Sequence, residues 1–257
     1  MAKIRLFVEV ALAPGAVVEL PPAQAHYLRS VMRLAAGTSL LLFNGKEGEW
    51  RARLEELAKG RASCAIESQT RPQAAEPDLW LVFAPVKRAH IDFLAQKATE
   101  LGVSALWPVF TRRTAVARVN SERLRANAIE AAEQCERLSV PQVLAPAALE
   151  RVIAEWPEER RILLCDERGG GAPIAEALPH GAAAPPPWAV LVGPEGGFSE
   201  DELDRLRKLS IVTAVGLGPR VLRADTAALA ALACWQAIVG DWCRTPRFMP
   251  DVPRSSK

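Results

Sequence analysis

The chain has 257 residues, 49% hydrophobic and 24% charged, a composition typical of a globular protein with one or two domains. Its formal net charge is only +2, which excludes a protein that is basic over its whole surface. The longest apolar run, residues 226–239, is too short to cross a bilayer, and the first residues lack the apolar core of a signal peptide, so we expect a cytoplasmic protein with no membrane contact.

Residues 1–72 have the pattern of a small β-rich unit. The strands are predicted at residues 4–10, 39–43, 50–54 and 62–66. The pair Asn44-Gly45 directly follows an apolar strand and is the strongest short hairpin signal in the chain.

One helix is predicted within this unit. Pro21-Pro22 opens it and Gly37 ends it. Its apolar stripe comprises Leu28, Val31 and Met32. Arg29 and Arg33, four residues apart, are predicted to share another face.

After a linker at residues 71–77, predicted strands and helices alternate, which is typical of an α/β sheet. Strands are predicted at 79–84, 103–109 and 161–165, and helices at 87–101 and 121–138. Gly102 stops the first of these helices, and Ser121 is suited to cap the second.

Two glycine-rich turns near the C-terminal end each follow an apolar run. The first lies within AVLVGPEGGFS at residues 189–199, and the second within AVGLGPRVLRADTA at residues 214–227. Each has the pattern of a strand end, a tight turn and a helix start, where glycines let a ligand approach the backbone. Ligands of open α/β sheets bind at such strand ends, so the pair favours a ligand site over two tight connections.

The residues around the first turn restrict the kind of ligand. Ser199 and Glu202 have the spacing of a capping box, and acidic side chains already match the positive start of the helix. Glu195 adds another carboxylate, and neither G-x-G-x-x-G nor a P-loop motif is present. A phosphate would meet like charge there. The turn therefore suits a neutral or partly cationic ligand held by backbone groups, such as an adenosine that carries a sulfonium.

The second turn leads into an alanine-rich helix that is apolar nearly all round. Asp225 or Thr226 is suited to cap it. We expect burial on most of its sides, in one of three settings: a helix threaded through the fold, a dimer seam or an ordinary core helix.

The cysteines and histidines give no pattern of their own. The five cysteines lack a C-x-x-C pair, and the three histidines are scattered. We therefore expect reduced thiols and no metal.

Five segments, in chain order, carry a resemblance to a known family. They are HYLRSVMRL at 26–34, QKATELGV at 96–103, EQCER at 133–137, GPEGGFS at 193–199 and LGPRVLRADTA at 217–227. They resemble motifs of the RsmE family, 16S ribosomal RNA uracil-N3 methyltransferases of the SPOUT class. Glu136 stands where that family commonly has glycine. Asp225 stands where glutamate is common and keeps the carboxylate.

The resemblance implies an α/β protein with a PUA-like β-barrel over residues 1–72. It implies a SPOUT α/β domain over residues 73–257, with a deep trefoil knot near the C-terminus. It also implies S-adenosylmethionine as cofactor, bound in the knot, and a homodimer. The implied cofactor contacts are Cys165, Leu191, Gly193, Pro194, Glu195, Gly196, Leu217, Gly218, Pro219 and Leu222.

The implied reaction is methylation of N3 of a uridine, uracil 1498, in 16S rRNA of the small ribosomal subunit. Removing the N3 proton calls for a base. Glu195 is the candidate, with satisfaction of backbone donors in the turn as its alternative role. Arg223 is suited to stabilise negative charge on the uracil oxygens, or else pairs with Asp225 or Asp166.

The RNA is expected to be held through phosphate contacts. The candidates are Arg5, Arg29, Arg33, Lys87, Arg88, Arg112 and Arg113. Arg5 alternatively packs on Glu49, and runs of arginine also occur on solvated faces. Two other functions stay open: a nucleotide-dependent α/β enzyme and a non-catalytic RNA-binding assembly protein.

Overall fold

The computed structural model describes residues 4–179, 186–242 and 244. The chain divides into two compact units. Residues 1–75 and 128–140 form the first unit, and residues 76–127 and 141–257 form the second.

The first unit contains a five-stranded sheet in the order β1-β3-β4-β5-β2. The strands are β1 Arg5–Phe7, β2 Val17–Leu20, β3 Ser39–Phe43, β4 Glu49–Ala58 and β5 Arg61–Arg71. β1 pairs with β3 in parallel, and the other pairings are antiparallel. The predicted hairpin at Asn44 is confirmed, since β3 and β4 flank it. The sequence did not predict β2, a short edge strand.

The predicted helix of this unit is shorter than expected. α1 covers Pro22–His26 and continues into a π-helical turn at Tyr27–Val31. Leu28 is fully buried, as predicted, but the other two residues of the proposed apolar stripe are exposed. The wider turn rotates later side chains away from the core, and Arg33 ends it with a φ of 53°. Arg33 therefore shares no helical face with Arg29, and Gly37 lies beyond the helix.

The second unit is built on an eight-stranded sheet whose strand pairs are parallel. Its central order is β13-β10-β12-β6-β7. The strands are β6 Leu79–Phe83, β7 Ala105–Phe110, β8 Gln142–Val143, β9 Ala147–Ala148, β10 Arg161–Cys165, β11 Ala172–Pro173, β12 Trp188–Val192 and β13 Val212–Gly216. All five residues of β12 are buried, as expected for an apolar strand in a sheet covered on both faces.

Six helices are described outside the small one in the first unit. They are α2 Arg88–Glu100, α3 Ser121–Gln134, α4 Leu149–Ala154, α5 Ile174–Ala177, α6 Glu200–Arg207 and α7 Ala224–Ile238. α3 spans both units, because residues 128–140 belong to the first. None of the helices in the described ranges has the length and apolar character needed to cross a membrane.

The helix caps partly differ from those predicted. The capping box of Ser199 and Glu202 at α6 is confirmed. At α3 the cap is Asn120, whose Oδ1 accepts a hydrogen bond from the Arg123 amide, so the prediction of Ser121 was one residue off. At α7 the N-cap residue is Arg223, whose side chain makes no capping hydrogen bond, so the prediction of Asp225 or Thr226 as the cap was wrong.

α7 is buried on one face rather than on most sides. Its buried residues are Ala228, Ala231, Leu232, Trp235 and Gln236. They recur at helical spacing, and the helix packs against α2 and the strand β12. The Gln236 amide donates to the Leu101 carbonyl at the end of α2.

Candidate functional site

Three neighbouring strands of the second unit, β13, β10 and β12, end beside a cavity of about 210 Å³. Parallel strands bring their carboxyl ends to one edge of the sheet, so the two predicted turns and the loop after β10 converge there. Eight of the ten predicted cofactor contacts line this cavity: Cys165, Gly193, Pro194, Glu195, Leu217, Gly218, Pro219 and Leu222.

The other two predicted contacts do not line it. Leu191 lies inside β12, between Leu164 of β10 and Val82 of β6, so the sheet engages its backbone. Gly196 is exposed, and its carbonyl accepts a hydrogen bond from Arg113.

Tight packing explains the glycines of the first turn. A Cβ at Gly193 would lie 2.9 Å from the ring of Phe198, which is fully buried. Gly197 has a φ of 67°, and a Cβ there would collide with the carboxylate of Glu167. The same carboxylate accepts a hydrogen bond from the Phe198 amide, so the first turn is packed against the loop after β10.

Backbone donors are available at the cavity. Within the described ranges, the amide groups of Gly193, Leu217 and Leu222 have no hydrogen-bond partner. Gly193 is buried, and an unpaired buried amide is costly unless a ligand satisfies it. These three groups therefore fit a ligand that offers hydrogen-bond acceptors along its edge.

Among the described residues that line the cavity, three are acidic and one, Arg220, is basic. Asp166 is buried and accepts a hydrogen bond of 3.0 Å from Nε of Arg207. Glu195 is exposed at the mouth of the cavity. The acidic start of α6 follows in the chain. Burial raises the pKa of the Cys165 thiol to about 12, which leaves it neutral. The site therefore favours a cationic over a polyanionic ligand.

A second cavity, of about 340 Å³, adjoins the first and shares Glu195 and Ala224 with it. Arg223 lines this second cavity and is exposed. Neither of the two acids predicted to pair with Arg223 does so: Asp166 pairs with Arg207, and Asp225 pairs with His90. No described side chain forms an ion pair with Arg223, so its charge is available to a ligand.

His90 is the site residue that the sequence did not reveal. Its ring lines the second cavity, and its Nδ1 atom lies 2.8 Å from Oδ2 of Asp225. The two residues are 135 positions apart, and no local motif links them. Among the described residues, no group of acidic, histidine and cysteine side chains is arranged to hold a metal ion.

Arg5 is not placed to bind RNA phosphates. Its side chain is 3% exposed and lies 2.6 Å from the Glu49 carboxylate. Its guanidinium also donates to the carbonyls of Ala132, Glu133 and Arg137. These bonds use its donors inside the first unit, which corrects its assignment as an RNA contact.

The other basic residues predicted to bind RNA differ in whether their side chains already have partners within the protein. Arg29, Arg33 and Lys87 are exposed and have no ion-pair partner in the described chain. Arg112 binds Asp201 at 2.6 Å, and Arg113 donates to the Gly196 and Phe198 carbonyls. The side chain of Arg88 lies outside the described residues.

Two family models match the chain. A model described as an RNA methyltransferase domain matches residues 74–236, and one described as an RNA methyltransferase PUA domain matches residues 20–67. The first alone covers well over half of the chain.

Relatives and solved structures are similar over nearly the whole chain. The ribosomal RNA small subunit methyltransferase E of Rickettsia conorii is 31% identical over 236 residues, which cover 89% of this chain and 93% of the relative. The Synechocystis protein of the same name is 34% identical, over 87% of this chain and 74% of its own. The crystal structure of the Neisseria gonorrhoeae enzyme of that name, bound to S-adenosyl methionine, superposes with a TM-score of 0.83 at 31% identity, over 94% of this chain and 100% of that one. A methyltransferase structure from Legionella pneumophila, in complex with the same cofactor, superposes with a TM-score of 0.82 at 29% identity, over 92% of this chain and 98% of that one.

Proposed function

Because the chain belongs to the RsmE family of ribosomal RNA small subunit methyltransferases, we propose that it methylates N3 of a uridine, by family uracil 1498, in 16S rRNA, using S-adenosylmethionine. The observation that carries the proposal is the cavity where the two glycine turns meet.

The residues of this cavity fit the cofactor. The free amides of Gly193, Leu217 and Leu222 match the acceptors of an adenosine, and the acidic surroundings suit a sulfonium. Cys165, Pro194, Gly218 and Pro219 supply the remaining walls. When bound, the cofactor supplies an electrophilic methyl group. The Cys165 thiol stays neutral because it is buried, so it does not compete as a nucleophile for that methyl group.

The second cavity is the proposed uracil site. It adjoins the cofactor cavity, as alignment of the methyl acceptor requires. Arg223, whose charge is unpaired, stabilises negative charge on the uracil oxygens as N3 loses its proton. Glu195 lines both cavities and is one candidate for accepting that proton.

RNA is proposed to bind through the exposed basic side chains and the PUA-like unit. Arg29, Arg33 and Lys87 are free to contact phosphates, and Arg88 stays a candidate by its position in the sequence. Arg112 and Arg113 would have to exchange their present partners for phosphate. We propose that residues 1–72 are the RNA-binding domain and that residues 73–257 are the catalytic domain.

The family resemblance further supports a deep trefoil knot in the catalytic domain, a homodimer and a cytoplasmic location. α7, with one buried face and one half-exposed alanine-rich face, is the helix best suited to a dimer seam. These features stay proposals.

Two measurements test the function. Titration calorimetry should detect heat of binding when S-adenosylmethionine is added to the protein, and none when ATP or NAD is added. Mass spectrometry of ribosomal RNA from cells with and without the protein should show one missing methyl group on a 16S uridine. Heat from ATP or NAD but not from S-adenosylmethionine would favour a nucleotide-dependent enzyme, and no heat from any of the three would favour a non-catalytic RNA-binding protein. An unchanged methylation pattern would overturn the assigned reaction.

A further inference from the structure

His90 and Asp225 form a hydrogen-bonded pair at the edge of the proposed uracil site. His90 lies in the first turn of α2, and Asp225 lies in the first turn of α7. The two helices pack against each other, which brings Nδ1 of His90 to 2.8 Å from Oδ2 of Asp225. The histidine side chain is 44% exposed and the carboxylate only 14%, so the acid supports a ring that stays accessible.

The partner fixes which ring nitrogen carries the proton. An ionised carboxylate only accepts hydrogen bonds, so a neutral His90 must hold its proton on Nδ1. Burial of Asp225 acts to raise its pKa, but the hydrogen bonds from His90 and from Thr226 outweigh burial and lower it. The carboxylate therefore stays ionised, and in the neutral form of His90 it is Nε2 that carries the unshared electron pair.

The position of the pair matches the site of proton removal. His90, Glu195 and Arg223 line the same cavity, and Nε2 of His90 has no hydrogen-bond partner in the described chain. Glu195 also lines the cavity, but no described group holds its carboxylate in place. A base that is oriented by a third group is the arrangement that recurs in enzymes that move protons.

We propose that His90 is the general base that removes the N3 proton of the target uracil, and that Asp225 is the residue that positions it. The inference rests on the proposed function of this site. The N3–H bond breaks with its electron pair left on the uracil, and the proton passes to Nε2 of His90. N3 then bonds to the methyl carbon of the cofactor, whose carbon–sulfur electron pair returns to sulfur.

The surrounding charges are compatible with this transfer. Asp225 from α7 and Glu195 from the first turn stabilise the imidazolium that forms, while Arg223 faces the uracil anion. Lys87, at the start of α2, is the other described charge that lines the cavity.

Single-turnover methyl transfer to small ribosomal subunits that lack the modification tests the assignment. His90→Ala should lower the rate about 100-fold or more, the usual contribution of a positioned general base, with unchanged calorimetric affinity for S-adenosylmethionine. Added imidazole should restore part of the His90→Ala rate. His26→Ala, a substitution at a histidine in the first unit, should neither slow the reaction nor respond to imidazole.

The dependence of rate on pH separates a base from a residue that only shapes the site. The wild-type rate should level off at alkaline pH, once the base has lost its proton. The His90→Ala rate should keep rising, because the uracil itself must then ionise. Asp225→Asn should lower the rate at unchanged cofactor affinity, and imidazole should not rescue it while the His90 ring is present.

The failures of the inference and of the proposed function are distinct. A wild-type protein that transfers no methyl group overturns the proposed function. An active wild-type protein whose His90→Ala variant is equally fast, or is slow but not rescued by imidazole, overturns the role of His90 alone. Loss of the alkaline plateau in Glu195→Gln, with that plateau kept in His90→Ala, would assign the proton to Glu195 instead.

Discussion

Arg5 and Glu49 form a buried ion pair in the first unit, with Nε of Arg5 2.6 Å from the carboxylate and the two side chains 3% and 1% exposed. Arg71 and Thr70 also donate to the Glu49 carboxylate. Burial lowers the pKa of Arg5, and the bond to Glu49 opposes that change. Each group thus depends on its partner to be charged where water is excluded.

Glu49→Gln is expected to destabilise the protein by about 3–5 kcal/mol, because it leaves the buried Arg5 charge without its counterion. Denaturant unfolding followed by circular dichroism measures the change. Glu67→Gln, which breaks the exposed pair with Arg53, is the matched control and should cost about 1 kcal/mol or less. Equal costs for the two variants would contradict the stabilising role of the buried pair.

The same carboxylate predicts how stability changes with acid. Burial acts to raise the pKa of Glu49, but the hydrogen bonds from Arg71, Arg5 and Thr70 outweigh it and lower the pKa to about 2. A folded-state pKa below the unfolded value means that the contribution is complete above about pH 5 and is lost as the pH falls toward 2. The stability difference between wild type and Glu49→Gln should therefore shrink over that interval.

Local signals in the sequence predicted much of the fold. The hairpin at Asn44, the strand at residues 161–165 and the capping box at Ser199 each depend on neighbours within a few positions, and each is confirmed. The cavity between the two turns followed from a rule on strand ends that needs only the alternation of strands and helices.

Features set by distant contacts could not be predicted. The prediction of Arg5 as an RNA contact is wrong because nothing near it in the sequence reveals that the end of α3 supplies carbonyl groups to its guanidinium. The pairing of His90 with Asp225 spans 135 positions and depends on how two helices cross. The π-helical turn that exposes Val31 depends on hydrogen bonds that an apolar pattern does not encode.

Glu136, which departs from the family pattern, has the left-handed φ of 63°. A non-glycine residue in that region is strained by about 1–2 kcal/mol. Glycine removes this strain, but its greater freedom in the unfolded chain offsets part of the gain. Glu136→Gly should therefore raise the free energy of unfolding by about 0.5–1 kcal/mol. Glu130→Gly, within α3, should lower it by about 1 kcal/mol. A loss of stability in both variants would show that the Glu136 side chain contributes more than its backbone strain costs.

Gly193→Ala should weaken the binding of S-adenosylmethionine. The added Cβ would lie 2.9 Å from the Phe198 ring, so the turn or the ring must move, at a cost of about 1–3 kcal/mol. Calorimetry should show about a tenfold or larger loss of affinity. Gly60→Ala, in the first unit, places its Cβ in open space at a φ of 75° and should leave the affinity unchanged. Wild-type affinity in Gly193→Ala would argue against the first turn as part of the cofactor site.

Arg223→Gln should slow methyl transfer while the cofactor still binds. Removing one preorganised charge from a site of developing negative charge lowers the rate about 100- to 1,000-fold. Single-turnover rates at saturating RNA measure this effect apart from binding. Arg161→Gln, at an exposed position at the opposite end of β10, controls for the loss of a positive charge and should retain the wild-type rate. An unchanged rate in Arg223→Gln would remove the arginine from the reaction.

Arg29→Gln and Arg33→Gln should weaken RNA binding without affecting the chemical step. Both side chains are exposed and lack an ion-pair partner in the described chain, so phosphate contacts cost them no existing interaction. Each loss of a phosphate contact should lower the slope of log K against log salt by about one. Arg53→Gln, whose side chain already pairs with Glu67 in the same unit, should leave the slope unchanged. If the slope stays the same in all three variants, the RNA contacts lie elsewhere, and Lys87 is the next exposed position to test by the same titration.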